Sequence, residues 1–429
     1  MDGLDRIHGY FNEGLETRSR EDRLRSHNQQ TIEIVAHAYE KCLATRDRFK
    51  EVNLTPYDIK GVTDLIKIPV LRKDELVSLQ GKNPPFGGLL GVSEKELSWV
   101  FMSPGPIYDP VTGTDEIRER SIAAAFYSCG FRKGDKVLNT WSYHMVPAGI
   151  YSDFALRYMG CTVIPAGIGN TELQVQISKH LKVEGFLGTA GFLMNILKKA
   201  EEMGLDPRKD LNFKVAIAGG EAGGGPMRRF FEEKYNMITG DFYGTSDVGV
   251  IAYECREKSG MHLIENIVVE IVDPETWENL PPGEVGEVIV TNFNKVYPMI
   301  RFGTGDLSKI DEEYCACGRT SIRLTKILGR VGEAVRVRGM FVHPKQTQQV
   351  LDSFPELGRF QFIVSRVEYR DHLTLRIEMK EEIPDRGILK KSLSEKFKNV
   401  CRLSPDEIIF LKTGELANEK RIIIDQREY

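Results

Sequence analysis

The sequence predicts an α/β fold: a large N-terminal domain with mostly parallel sheets plus a β-rich subdomain over residues 1–329, and a small C-terminal ferredoxin-like α+β domain over 330–429. Three patterns carry this prediction. Short apolar runs at 136–140, 162–165, 184–188 and 214–218 alternate with helix-period segments at 147–159, 171–182, 190–203 and 226–235, the order that builds a two-sided parallel sheet. Past Asp247 the texture becomes β, with alternation in 263–272 and 284–292, broken by the turns Asp273-Pro274-Glu275 and Leu280-Pro281-Pro282-Gly283. Beyond Arg330 the segments 333–338, 344–353, 359–368, 372–379, 387–400 and 406–412 read as β-α-β-β-α-β.

Composition narrows the function classes. With 429 residues, 41% of them hydrophobic, the chain has material for more than one core. A net charge of -4 leaves no basic footprint for nucleic acid and favours small-molecule chemistry. No apolar run reaches the roughly 18 residues that a membrane span needs. The mixed-charge start, 1–25, is unlike a secretory signal, so a cytoplasmic protein is expected. Seven cysteines, an odd number, argue against a disulfide framework.

In chain order, 20–50 has one apolar face and reads as a helix, and 58–74 reads as connectors and one-turn helices. A strand at 98–101 leads into Met102-Ser103-Pro104-Gly105-Pro106-Ile107-Tyr108-Asp109-Pro110. Residues 114–130 form a helix with an acidic start at Asp115-Glu116 and Gly130 as its stop. Tyr143 and His144 lie just past a strand end and could line a pocket mouth; a hydrogen-bonded structural histidine is the other reading. Val215-Ala216-Ile217-Ala218 opens into the glycine loop Gly219-Gly220-Glu221-Ala222-Gly223-Gly224-Gly225, before a helix near Pro226. Downstream, Asp241-Phe242-Tyr243-Gly244-Thr245-Ser246-Asp247-Val248-Gly249 concentrates hydroxyls, a carboxylate and glycines where an open sheet meets its ligand.

Tyr243-Gly244-Thr245-Ser246-Asp247 and Arg301-Phe302-Gly303-Thr304-Gly305-Asp306-Leu307 resemble the Y-G-x-[ST]-[ED] and R-x-x-T-G-D-L motifs of the adenylate-forming enzymes. With Pro281-Pro282-Gly283-Glu284, Cys315-Ala316-Cys317-Gly318-Arg319-Thr320 and Ile327-Leu328-Gly329-Arg330, nearly the whole chain is similar to phenylacetate-CoA ligase-type members of that superfamily. The resemblance implies activation of a carboxylic acid with ATP to an acyl-adenylate, then transfer to coenzyme A, with Mg²⁺ balancing phosphate charge. It implies that Asp306 holds the ribose hydroxyls, Tyr243 stacks on adenine and Thr245 reaches the α-phosphate. Gly244, Ser246, Gly220 and Glu221 complete the nucleotide loops, and Asp247 binds Mg²⁺ with a side chain one methylene shorter than the usual Glu. Ser103 and Gly105 match the phosphate loop, whereas Pro104 and Pro106 remove backbone donors and Asp109 stands where the family usually has lysine.

Arg330 matches a ribose-contacting arginine before the hinge of a mobile C-terminal domain, with Gly332 at the hinge itself. Ungapped matching from Ile424-Asp425 puts Glu419 at the catalytic-lysine position; a one-residue shift nominates Lys420, for which a solvated terminal lysine is the other reading. Tyr143, His144, Ala222 and Gly223 are the expected acid pocket. Phenylacetate-type relatives often carry a Pro-aromatic pair after the Gly-Glu of their glycine loop, so Ala222-Gly223 predicts a roomier pocket, for an aromatic or arylacetic acid in the broad sense. An adenylyltransferase that leaves AMP on a cofactor-like acceptor and a nucleotide-binding homologue without catalysis remain as alternatives. A homodimer is expected by resemblance alone.

Cys255, His262, Cys315 and Cys317 offer three thiols and an imidazole, a set suited to tetrahedral structural Zn²⁺; free buried cysteines are the alternative. Cys42, Cys129, Cys161 and Cys401 read as packing residues.

Overall fold

The computed structural model describes residues 4–103, 105–219, 225–274, 276–331, 335–338, 340–342, 344–380, 386–401, 403–416 and 422–427. The chain divides into two compact units, one of Met1–Gly188, Asn195–Gly219 and Phe231–Gly329, the other of Thr189–Met194, Gly220–Phe230 and Arg330–Tyr429. Gly220, Glu221, Ala222, Gly223, Pro104, Gly332 and Lys420 lie outside the described residues.

In the first unit, the single helix expected at 20–50 is two, Arg20–Lys41 and Leu43–Glu51. Cys42 breaks it: its backbone is extended (φ -104, ψ 110) and its buried thiol donates to the Leu89 carbonyl at 3.2 Å. A tertiary contact overrides a helical pattern there. A further helix, Lys73–Lys82, had no clear signal in the sequence because its exposed face is charged.

The strand expected at 98–101 is one arm of an antiparallel hairpin, β1 (Trp99–Ser103) with β2 (Ile107–Val111). Pro106 and Pro110 hide the second arm from a propensity reading. The helix Glu116–Ser128 begins where Asp115 caps it, accepting from the Ile117 and Arg118 amides, and ends before Gly130 at φ 107.

The parallel sheet holds β3 (Lys136–Asn139), β4 (Thr162–Pro165), β5 (Gly185–Gly188), β6 (Val215–Ala218) and β7 (Ile238–Gly240) in the order β4-β3-β5-β6-β7. Every residue of β5 and β6 is buried, which is why both read as continuous short runs. Phe126, Phe131, Val137, Leu187, Val215 and Ile217 fill the layer between the sheet and its helices. The order reverses between β3 and β5, and in open α/β sheets a ligand crevice forms outside the strand ends at such a point.

The β-rich part follows as β8 (Phe242–Thr245), β9 (Gly249–Glu254), β10 (Met261–Leu263), β11 (Ile267–Val272), β12 (Gly286–Asn292), β13 (Phe302–Ser308), β14 (Ile310–Asp311) and β15 (Arg323–Leu324). One sheet runs β14-β15-β10-β9-β8; another joins β11, β12 and β13 by antiparallel pairing. Arg301 anchors the second. It is 1% exposed, its Nε donates to Glu270 at 3.1 Å, and its Nη1 donates to the Ile66 and Ile68 carbonyls. Arg301→Ala would leave the Glu270 carboxylate buried without its cation, so a loss of about 3 kcal/mol is expected in urea unfolding. An unchanged midpoint would refute that anchoring role.

In the second unit, Leu357–Val367 and Arg370–Met379 form a long antiparallel pair. Glu407–Lys412 lies parallel to Arg370–Met379, and Ile423–Asp425 parallel to Leu357–Val367. The β-α-β-β-α-β order is present along the chain, but its first strand, Val335–Val337, pairs with Met340–Val342 in a separate hairpin. The last segment takes the sheet edge because Arg427, buried, bridges Asp425 and Asp371. Leu375, Leu393, Phe397 and Phe362 pack between this sheet and its helices Pro344–Leu351 and Arg386–Cys401.

Candidate active site

Tyr243 lies on β8 and Asp306 on β13, in different sheets, yet the Tyr243 hydroxyl donates to Asp306 Oδ2 at 2.8 Å. Both are buried, so the two motif loops meet at one point. Glycine shapes both loops. A Cβ at Gly244 would come within 2.6 Å of the Gly249 carbonyl, where a bulge lets β8 and β9 close tightly. Gly305, at φ 74, donates its amide to Glu287 and turns Asp306 inward. Thr245 and Ser246 are half-buried in the tight β8–β9 connection.

Asp247, whose side chain is 1% exposed, accepts from Lys73 Nζ at 2.9 Å through Oδ2; its Oδ1 is buried with no hydrogen-bond partner among the described residues. Lys73 was not foreseen. It lies 174 residues away at the start of a helix, where a charged side chain reads as solvated. Seven residues on, Gln80 clamps Tyr108 of β2, donating to its carbonyl and accepting from its amide, both within 2.8 Å. One helix face thus fixes the hairpin and the cation together.

On that hairpin, Ser103 is fully buried and Asp109 only 5% exposed. Burial pushes the Asp109 carboxyl well above the usual range, and the nearby Asp247 charge pushes it further; Lys73 and the Ser103 hydroxyl pull the other way. Gly105 is exposed at the hairpin tip. The Met102 amide donates to the Met145 carbonyl at 2.6 Å, tying the hairpin to the segment that carries Tyr143 and His144. The Tyr143 phenol accepts from Asn139 Nδ2 at 2.8 Å, at the end of β3 beside the order reversal, and burial raises its pKa. His144 is exposed. Arg330 ends a two-residue strand with Gly329.

A second cluster closes over the β-rich part. Cys255, His262, Cys315 and Cys317 are all buried, with their ligand atoms within 4.8 Å of one another. The Cys255 and Cys315 sulfurs are 3.6 Å apart, and Cys317 Sγ is 3.4 Å from His262 Nε2. His262 Nδ1 faces Ser321 Oγ at 3.2 Å, which leaves Nε2 turned to the thiols. A hydrogen bond with Cys255 and the neighbouring His262 hold the Cys317 thiol well below its ordinary value, which favours the thiolate form that a metal would bind.

The model of the AMP-binding enzyme family matches residues 116–294, and that of the AMP-binding enzyme C-terminal domain matches 339–427. Phenylacetate-coenzyme A ligase of Thermus thermophilus is 31% identical over 383 residues, covering 86% of this chain and 84% of the relative. That of Pseudomonas putida is 30% identical over 397 residues, covering 88% of each. A crystal structure of 2-hydroxyisobutyryl-CoA ligase with 2-HIB-AMP and CoA superposes with a TM-score of 0.90 at 22% identity, over 98% of this chain and 93% of that one, a likeness of fold. Together with the two motif loops that Tyr243 and Asp306 join, this similarity over most of the chain places it in the phenylacetate-CoA ligase family of adenylate-forming, AMP-forming acid-CoA ligases.

Proposed function

We propose that the protein activates an aromatic or arylacetic acid. In the first step a carboxylate oxygen attacks the α-phosphorus of ATP and pyrophosphate leaves. In the second the CoA sulfur attacks the acyl carbon, AMP leaves, and the thiol proton passes to solvent. The acid class rests on the similarity to the phenylacetate-coenzyme A ligases named above, widened because Ala222 and Gly223 are small. The 2.8 Å Tyr243–Asp306 contact carries the nucleotide assignment, because it joins an aromatic face and a buried carboxylate, the two groups that an adenosine needs.

Asp306 would accept from the ribose hydroxyls, and Tyr243, held through its hydroxyl by that carboxylate, would present its ring to adenine. Thr245, with Gly244 and Ser246, would bind the α-phosphate, and Ser103 and Gly105 the outer phosphates. Gly220 and Glu221 belong to the same nucleotide loops; Ala222, Gly223, Tyr143 and His144 would border the acid. Arg330 and Lys420 are assigned to the ribose and to the reacting carboxylate with its phosphate. Asp247 suits Mg²⁺, since one of its oxygens is buried and unpartnered, and the ion would offset phosphate charge there. Domains 1–329 and 330–429 would be the nucleotide-binding body and a mobile closing domain.

The buried Cys255–His262–Cys315–Cys317 set fits structural Zn²⁺, with four soft or borderline ligands and no open position. A cytoplasmic homodimer completes the proposal; no helix among the described residues is long and apolar enough to cross a membrane.

The test is acid-dependent ATP-pyrophosphate exchange over aromatic, arylacetic and short hydroxy acids, with and without CoA. Exchange with an aryl acid followed by CoA-dependent AMP release is the expected result. Exchange only with short hydroxy acids would overturn the aromatic assignment.

A further inference from the structure

The phosphate-loop hairpin carries an acid where a phosphate-binding loop gains nothing from one. Asp109 pairs across the hairpin with Phe101, and Ser103 with Ile107, so Asp109 and Ser103 are diagonal neighbours on its buried face. Both carboxylate oxygens of Asp109, the Ser103 hydroxyl and Oδ1 of Asp247 are buried without a well-formed hydrogen bond among the described residues, and the Ser103 hydroxyl lies close enough to Asp109 to favour its charged form. Two carboxylates therefore share a water-poor site with one ammonium, Lys73, which donates to Asp247 Oδ2.

Left as it stands, the arrangement is costly and repels phosphate. An unpaired buried carboxylate forfeits its hydration without recompense. With both ionised, two carboxylates against one lysine sum to a single negative charge, opposite to what an incoming polyphosphate requires. A dipositive ion reverses that sign. It also satisfies several hard oxygen ligands at once, which no single added proton does.

We propose that Asp109 of the hairpin and Asp247 of the β8–β9 connection together hold a divalent cation of the Mg²⁺ or Mn²⁺ class, with Ser103 Oγ completing the protein's oxygen set. The inference rests on the reading above for Asp247 and the phosphate-loop hydroxyl; the part played by Asp109 is new. Lys73 competes for the same carboxylate. Its side chain is 31% exposed, so it has room to withdraw when the ion enters. An aspartate on the phosphate loop then becomes a metal ligand that presents positive charge to the phosphates, in place of a basic side chain doing so directly.

The experiment uses the full chain, supplied with zinc beforehand and free of nucleotide, and counts bound Mn²⁺ by electron paramagnetic resonance. One Mn²⁺ per chain is expected, with affinity weakened at least about tenfold in Asp109→Asn and strengthened in Lys73→Met, which removes the competing ammonium. Equal affinity in the parent and Asp109→Asn, including no bound ion in either, overturns the proposal. Should Asp109→Asn not fold, Lys73→Met decides: tighter Mn²⁺ supports the site, and unchanged or weaker Mn²⁺ refutes it. Absent pyrophosphate exchange with the Mn²⁺ results intact would count against acid activation while leaving the cation site in place. Normal exchange with Mn²⁺ binding indifferent to Asp109 would do the reverse.

Discussion

Asp306→Ala is expected to lower kcat/KM for acid-dependent AMP formation on the order of a thousandfold, about 4 kcal/mol of lost transition-state binding. The size follows from what the carboxylate does. It is buried, it receives the Tyr243 hydroxyl at 2.8 Å, and it is proposed to receive the ribose hydroxyls as well. Each charge-assisted hydrogen bond contributes about 1.5–3 kcal/mol. Alanine also leaves the Tyr243 hydroxyl without this acceptor and frees its ring to turn. Asp306→Asn keeps the shape and loses the charge, so a smaller fall is expected, expressed mainly in KM for ATP. Steady-state kinetics on both variants, with circular dichroism to establish folding, checks this. Activity within threefold of the parent in Asp306→Ala would remove Asp306 from the nucleotide site.

The second large effect concerns the thiol-imidazole cluster. Cys317→Ser and His262→Ala are each expected to abolish a stoichiometric zinc, measured by mass spectrometry of the purified protein, and to destabilise the β-rich part by at least about 3 kcal/mol. That is well below the roughly 10–16 kcal/mol of zinc-finger peptides, because metal binding there must order the whole chain. Here β9 pairs with β10, Cys255 directly follows β9, and the Arg319 amide donates to Cys317 Sγ, so the surrounding sheet shares the work of holding the ligand segments in place. Thermal unfolding with and without a chelator should show the fall in the parent and none in the variants. A parent grown with added zinc that carries no zinc would sink the assignment and leave three buried thiols as packing.

Local chemistry alone was enough for much of the architecture. Short, wholly apolar runs such as Val215-Ala216-Ile217-Ala218 can be satisfied only with both faces covered, so alternating strands and helices implied a parallel sheet. The acidic pair Asp115-Glu116 and Gly130 announced the ends of their helix, through the helix dipole and a left-handed turn. The order of the Tyr243 and Asp306 loops along the chain identified the family, and the four zinc-type ligands were countable from the sequence. Cys42 shows the limit of such reading: helix periodicity ran through it, and its buried contact with Leu89 broke the helix.

Tertiary structure decided who faces whom. Tyr243 and Asp306 are 63 residues apart and Lys73 and Asp247 are 174 apart, and no local period relates them. Their meeting depends on how sheets and helices pack, while the close approach of β8 and β9 at Gly244 shapes the loop that carries Asp247. Asp109 reads in the sequence as a defect in a phosphate loop. Only its burial beside Ser103, Asp247 and Lys73 turns it into a ligand in search of a cation, because the cost of a charge is set by its surroundings and its surroundings come from distant chain.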